Sequence, residues 1–188
     1  MIYKALAILS GLLGLYAYWP YARDILKGRV NPARSARIMF VLLLFLALFQ
    51  QHNLGGRGSL GVTIGELIGS IIILFLSLAN GVGGLRKLDI VCYILLIIDL
   101  FVWLISKNTL VALHLTVLAD LIAFTPTLEK TFKNPKSETA AFFVLGAIAP
   151  LPSIAAAGKF TYGIILYPAC LTIANSFEVF LIKRKNWF

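Results

Sequence analysis

Lys and Arg divide the chain into seven stretches with little or no charge, each about as long as a lipid bilayer is thick. They cover residues 5–22, 38–56, 58–85, 88–106, 108–128, 139–158 and 160–182. A helix rises about 1.5 Å per residue and the hydrocarbon core is roughly 30 Å thick, so about 20 apolar residues cross it. The sequence therefore predicts an all-α, polytopic membrane protein with seven helices, TM1 to TM7.

The basic residues also predict an orientation, because short cytoplasmic loops retain Lys and Arg. With the N-terminus outside, thirteen of the 17 basic residues fall in inner segments. The outer segments keep Lys4, Arg57, Lys107 and Lys159. We expect an integral protein of the plasma or inner membrane, N-terminus outside and C-terminus cytoplasmic, whose inner loops contact anionic lipid headgroups.

The composition excludes several classes of function. A mean hydropathy of +0.89 with 13% charged residues leaves no room for a water-soluble domain of useful size. The inner loops account for the net charge of +9, so we expect no nucleic-acid partner. Cys92 and Cys170 fall inside spans and form neither a disulfide pattern nor a zinc pattern. No catalytic signature includes His52 or His114, the only histidines, and we expect no enzymatic activity, cofactor or metal.

Two internal matches predict two related three-helix units. The segment beginning at Pro20 in TM1 matches the segment beginning at Pro126 in TM5, and Leu76–Asn80 in TM3 matches Leu171–Asn175 in TM7. A single helix between two three-helix units keeps both in the same orientation, which is a transporter architecture. The predicted organisation is a first repeat over residues 1–86, a linker helix over 87–107 and a second repeat over 108–188.

These features resemble the PQ-loop/SWEET superfamily (MtN3 clan) of membrane transporters. The resemblance consists of a proline near the inner end of TM1 and of TM5, the basic loop after each, and the 3+1+3 topology. The family's Pro-Gln dipeptide is absent, since Tyr21 and Thr127 occupy the Gln positions. The resemblance implies a small-solute carrier that alternates access between two triple-helix bundles, with Pro20 and Pro126 as hinges.

Polar side chains form equivalent stripes on TM3 and TM7. At about 100° per residue, the stripe of TM3 spans roughly 80° and that of TM7 roughly 60°. Their members include Glu66, Ser70, Ser77 and Asn80 in TM3, and Thr172 and Asn175 in TM7. Polar groups avoid lipid, so we expect Asn80 and Asn175 to approach each other across a central cavity, with Ser77 and Thr172 also binding substrate. The alternative is that the hydroxyls bond to their own helices and join neighbouring ones.

Asp120 lies near the middle of TM5, on one stripe with Thr116 and Thr127. A mid-membrane carboxyl with no basic residue nearby in its own helix favours its protonated form. A proton-coupled carrier needs that property, so Asp120 is predicted to bind substrate and to couple its movement to protons. The alternative is a protonated, structural Asp120 bonded to a neighbouring helix.

Three further side chains have two interpretations each, and Asp99 has one. Glu178 is either a gate or an ion-pair partner of the inner basic cluster, and Glu66 either lines an outer vestibule or reaches water. Trp19 either stacks on the ligand or belongs to the interfacial aromatic belt. Asp99 of TM4 is predicted to have a structural partner, for which His114 of TM5 is the candidate.

Gly61, Gly65 and Gly69 give TM3 a face of small residues that lets helices approach closely. In the resembling family TM3 packs between TM1 and TM2; an interface in a homo-oligomer is the alternative. The sequence as a whole favours a carrier for a small polar solute. The alternative is a receptor or accessory membrane protein on the same fold, which binds without transport.

Overall fold

The computed structural model describes residues 1–184, and that part of the chain forms helices and no strand. The helices are α1 (Ile2–Leu26), α2 (Arg34–Asn53), α3 (Leu60–Asn80), α4 (Lys87–Ser106), α5 (Thr109–Lys133), α6 (Ala140–Ala155) and α7 (Tyr162–Lys183). Each corresponds to one predicted stretch, so the all-α fold with seven helices is confirmed. The end of the second predicted repeat, residues 185–188, lies outside the described residues.

Six of the seven helices are long and apolar enough to cross a membrane, which indicates an integral membrane protein. The exception, α6, is shorter and is interrupted before Pro150, which has no N–H to donate to the preceding turn. Its two ends nevertheless reach both ends of the bundle. Thr139 Oγ1 donates to Asp24 Oδ2 at 2.9 Å, near the end of α1, and Ser153 Oγ donates to the backbone oxygen of Ser59 at 2.6 Å, just before α3.

The two ends of the bundle differ in charge. The α1–α2, α3–α4 and α5–α6 connections lie at one end, together with most Lys and Arg side chains, and we call it the basic end. The opposite end holds the connections that contain Arg57, Lys107 and Lys159. At the basic end, Arg34 joins two connections, because its backbone N–H donates to Val82 at 3.0 Å and its Nε to Ser77 at 3.1 Å.

The helices pack in a regular pattern. Helix α3 packs against both α1 and α2, and α7 packs against both α5 and α6. Helix α4 packs against α5 and, less extensively, against α2. Contacts of α1 with α6 and of α2 with α5 join the first three helices to the last three. The interior between these groups is where a site can form.

The glycine face of α3 packs against α1 within the same chain. A Cβ at Gly61 would collide with the backbone oxygen of Ala7, and one at Gly65 with that of Gly11. Only glycine permits this approach, as expected for a small-residue face between membrane helices. The face is thus used inside the chain, which favours the intramolecular interpretation over the homo-oligomer interface.

The outer surface of the bundle is rich in large apolar residues, and parts of the inner helix faces carry small and polar ones. On α1, the buried positions include Ser10, Gly14 and Ala17, whereas Ile8 and Leu12 are exposed. An exterior of this kind is stable in lipid, where apolar surface needs no burial and helices associate through close packing.

Candidate functional site

A cavity of about 80 Å³, part of it open to the surroundings, lies between the helices in the half of the bundle nearer the basic end. Six helices line it and α4 does not. Its wall consists of Ala17, Tyr18 and Tyr21 of α1; Arg37, Phe40 and Leu44 of α2; Glu66 and Ser70 of α3; Asp120, Leu121, Phe124 and Thr127 of α5; Phe142, Phe143 and Gly146 of α6; and Tyr167, Leu171, Ala174 and Asn175 of α7. A space of this size admits several water-sized groups.

Apolar packing closes the cavity toward the opposite end. Leu44 and Leu171 belong both to the cavity wall and to a buried cluster with Val62, Leu113 and Val117. Beyond the cluster, the Ser10 hydroxyl donates to the backbone oxygen of Ala149, which fastens α1 to the break in α6. Access from the opposite end would therefore require helices to move.

Two carboxyl groups line the cavity near the middle of the bundle, Glu66 from α3 and Asp120 from α5. Glu66 is only 6% exposed. Neither carboxyl has a hydrogen-bond or ion-pair partner within residues 1–184. Ionising such a group costs free energy unless a cation or several donors compensate it. The pair therefore calls for protons or for a positively charged ligand.

Tyr167 adds an unpaired donor to the wall. Its side chain is 1% exposed, and its hydroxyl has no hydrogen-bond partner in the described part of the chain. Asn175 lies on the same helix and donates from Nδ2 to the backbone oxygen of Leu171 at 2.8 Å. Its side-chain oxygen lies beside Gly146, where a Cβ would come within 2.9 Å of it. The amide oxygen and the Tyr167 hydroxyl are thus available to a ligand.

Aromatic rings cover much of the remaining wall. The Phe142 ring meets those of Tyr18 and Tyr21 with centroids 5.0 Å apart in each pair. The Phe143 ring lies 4.9 Å from that of Phe142 and 6.0 Å from that of Phe124. Rings at these separations pack favourably and present apolar faces to a ligand.

Arg37 is the cavity's one basic side chain among residues 1–184. Its Nη2 donates to the Tyr21 hydroxyl at 2.7 Å, and its guanidinium lies 5.0 Å from the centroid of that ring and 5.6 Å from that of Phe40. Arg37 follows the first turn of α2, so this charge lies toward the basic end. The cavity is thus acidic in its depth and basic toward its mouth.

The structure brings together three of the predicted site residues: Asp120, Glu66 and Asn175 all line the cavity. Pro20 and Pro126, the predicted hinges, lie inside continuous helices and each precedes a lining residue, Tyr21 or Thr127. Glu66 lines this cavity and not the outer vestibule that the sequence suggests, because the cavity reaches as deep as the first half of α3.

Four predicted substrate-binding residues lie elsewhere. Asn80 is exposed and outside the cavity wall, because α3 ends at this residue whereas α7 continues two turns beyond Asn175. Ser77 is buried, but its hydroxyl donates to the backbone oxygen of Leu74 at 2.7 Å. Thr172 does not line the cavity, and its buried hydroxyl has no partner among residues 1–184. Trp19 is 65% exposed on the outer face of α1, a position that suits the aromatic-belt interpretation.

Glu178 lies apart from the cavity wall, fully buried near the basic end. It accepts a hydrogen bond from the Thr131 hydroxyl, and its other oxygen has no partner in the described residues. The nearby Lys130 forms its ion pair with Glu138, at 2.8 Å. Within residues 1–184 no ion pair joins Glu178 to the basic cluster, and its role as a gate stays a prediction.

Sequence reasoning missed the aromatic residues and Arg37. Tyr18 and Tyr21 are one helical turn apart and follow the small residues on the buried face of α1. This spacing in the sequence predicts that both rings turn toward the bundle. In the sequence, Arg37 is one of the basic residues that predict the membrane orientation. Nothing in its local sequence shows that its side chain turns toward the bundle.

Comparisons with known proteins do not identify a relative: no family model matches the chain, and neither does any curated protein or solved structure.

Proposed function

We propose that this protein is a small-solute membrane transporter of the PQ-loop/SWEET type, in which two triple-helix units alternate access to the cavity between them. The observation that carries the proposal is the position of the cavity. Helices on either side of α4 contribute three each to its wall, and α4 contributes nothing. A solute held there touches both units, so their relative movement changes its access.

The packing supports the 3+1+3 organisation. In each proposed unit the third helix packs against the first two, α3 on α1 and α2, and α7 on α5 and α6. This shared arrangement is expected of parallel repeats. We assign this arrangement to one access state of the proposed cycle, because the apolar cluster around Leu44 and Leu171 separates the cavity from the opposite end.

The charge distribution supports an orientation with the basic end in the cytoplasm and the N-terminus outside. In this orientation the cavity belongs to a cytoplasm-facing state. The half-buried, unpaired carboxyl of Asp120 is the proposed proton site, because protonation would neutralise it during the movement of the units.

The test begins with thermal-shift screening of the purified protein against sugars, amino acids and vitamins at two pH values. A ligand at 100 times its Kd adds about 2.7 kcal/mol to the free energy of unfolding. Proteoliposome uptake of a stabilising solute then decides the function. We expect saturable uptake that Asn175→Leu reduces and that Asp120→Asn makes independent of pH.

The matched control is Glu129→Gln, which changes an exposed acid on the same helix as Asp120. Uptake by this variant should equal that of the wild type. Saturable binding without any uptake would contradict transport and would support the receptor alternative on the same fold.

A further inference from the structure

The charges in the cavity wall define what a ligand must bring. The wall contains two carboxyls, those of Glu66 and Asp120, and one guanidinium, that of Arg37. When both carboxyls are ionised, the site retains one net negative charge. In a low-dielectric interior this charge needs a partner, which is either one proton or one monovalent cation.

We propose that the cavity binds a small organic ammonium ion, which displaces one proton from the pair formed by Glu66 and Asp120. This inference rests on the proposed role of the cavity as a solute site, but not on transport itself. The exchange is balanced: the ammonium ion enters, one proton leaves a carboxylic acid, and the net charge of the site is unchanged.

The wall favours an organic cation over a hydrated metal ion. Aromatic rings of Tyr18, Phe142 and Phe143 surround the space, and ring faces attract ammonium groups in a desolvated site. Among residues 1–184, no three His, Cys, Asp or Glu side chains come together as metal ligands. The unpaired Tyr167 hydroxyl, 1% exposed, and the free oxygen of Asn175 offer additional polar contacts to the ligand.

Arg37 limits the ligand to a single positive charge. Its guanidinium is held by the Tyr21 hydroxyl at 2.7 Å and lies toward the mouth of the cavity. A second positive charge on the ligand would lie closer to this group than to the carboxyls in the depth. The ammonium head therefore binds deep in the cavity, and an uncharged body extends toward the mouth.

Other titratable groups surround the carboxyl pair. Those whose charges act on one or both carboxyls are Tyr18 of α1, Cys92 of α4, and Tyr167 and Cys170 of α7. Arg37 of α2 lies in the same cavity wall. Helix α6 contributes only Phe142, Phe143 and Gly146 to the wall. Near neutral pH, tyrosine and cysteine in an apolar interior stay protonated and arginine stays charged, so the released proton comes from a carboxyl.

The experiment compares three probes of similar shape on the purified wild-type protein in detergent. They are 2-phenylethylamine, the neutral 2-phenylethanol and the anionic 3-phenylpropanoate. Calorimetry should give an affinity for the amine at least tenfold above that for the alcohol, and no binding of the acid. In weakly buffered solution, about one proton should be released per amine bound, and the amine Kd should rise up to tenfold per unit fall in pH.

Equal affinity for amine and alcohol would overturn the proposal, and so would amine binding without proton release. If sodium chloride displaced the amine and choline chloride of equal ionic strength did not, the site would prefer a metal ion. That result would overturn the claim that it binds an organic ammonium ion. These comparisons use the wild type, so they remain decisive if a variant fails to fold. Among variants, Glu66→Gln and Asp120→Asn should each abolish proton release, while Glu129→Gln should retain it.

The outcome is separable from that of the proposed function. Amine binding with proton release but without uptake into proteoliposomes would leave this inference intact and remove transport. Saturable uptake of an uncharged solute by a protein that does not bind the amine would remove this inference and leave the transport proposal intact.

Discussion

Gln50 of α2 donates a hydrogen bond from Nε2 to Oδ1 of Asp99 on α4, at a distance of 2.9 Å. The hydroxyl of Thr116 on α5 completes the group, since it contacts Oε1 of Gln50 at 2.8 Å and also Oδ2 of Asp99. All three side chains are fully buried. The Thr116 hydroxyl has a single proton, and the Gln50 oxygen can only accept one. The hydroxyl can therefore donate to Gln50 and accept from Asp99 only if Oδ2 carries a proton. A closed ring of three hydrogen bonds results when Asp99 is protonated on Oδ2.

This ring corrects one expectation from the sequence. Asp99 has the structural partner that was predicted, but the partner is not His114. The His114 ring is exposed, and its Nδ1 donates to the backbone oxygen of Leu110 at 2.7 Å while its Nε2 accepts from the Tyr162 hydroxyl at 2.8 Å. Asp99 is thus buried, whereas His114 is exposed on α5. Periodicity along one helix does not reveal which neighbouring helix a side chain meets.

The first prediction concerns the stability that the ring provides. Gln50→Leu leaves the Asp99 carboxyl and the Thr116 hydroxyl without their amide partner in an apolar interior. We expect the free energy of unfolding to fall by about 1–3 kcal/mol. Reversible unfolding in mixed micelles measures it, with His114→Ala as the control that should change stability by less than about 0.5 kcal/mol. Equal effects of the two substitutions would contradict a structural role for the ring.

The sequence predicts the helices well because the spacing of charged residues along the chain directly reflects the thickness of the bilayer. It also predicts which face of a helix turns inward, and so identifies Asp120, Glu66 and Asn175. It does not predict where along the bundle axis the cavity lies. Asn80 shares the polar stripe of Glu66 but lies at the end of α3, outside the cavity wall. Nor does it show the direction taken by a long side chain such as Arg37, which depends on partners from other helices.

The second prediction concerns the close approach of α1 and α3. Gly65→Ala places a methyl group against the backbone oxygen of Gly11, and backbone cannot move aside as a flexible side chain can. We expect a loss of about 1–3 kcal/mol in the free energy of unfolding. Gly83→Ala is the matched control, because a Cβ there meets nothing within 4 Å. A stable Gly65→Ala protein would show that the helices can separate at little cost.

The third prediction concerns topology. Single cysteines replace exposed basic residues in a protein without Cys92 and Cys170, at Lys27 and Lys133 of the basic end and at Arg57 and Lys159 of the opposite end. In intact cells, an impermeant thiol reagent should label the second pair and leave the first pair unlabelled until the membrane is permeabilised.

Two results would contradict this arrangement in different ways. Labelling of the first pair alone would reverse the orientation but preserve the bundle. Labelling of Lys133→Cys and Lys159→Cys, which flank α6, from the same side would show that the chain does not cross the membrane at this short helix.

The last prediction concerns the hinges. Pro20 has no N–H, so the carbonyl of Tyr16 has no donor four residues later and α1 is locally easier to bend. Pro20→Ala restores that hydrogen bond. We expect amide exchange over residues 16–24 to slow severalfold, thermal stability to be kept or raised, and proteoliposome uptake of the solute found by screening to fall. Pro126→Ala should act in the same way on α5, whereas Pro168→Ala in α7 should leave exchange over residues 16–24 unchanged. Faster uptake by Pro20→Ala, or exchange equal to that of the wild type, would show that the units move without bending at this residue.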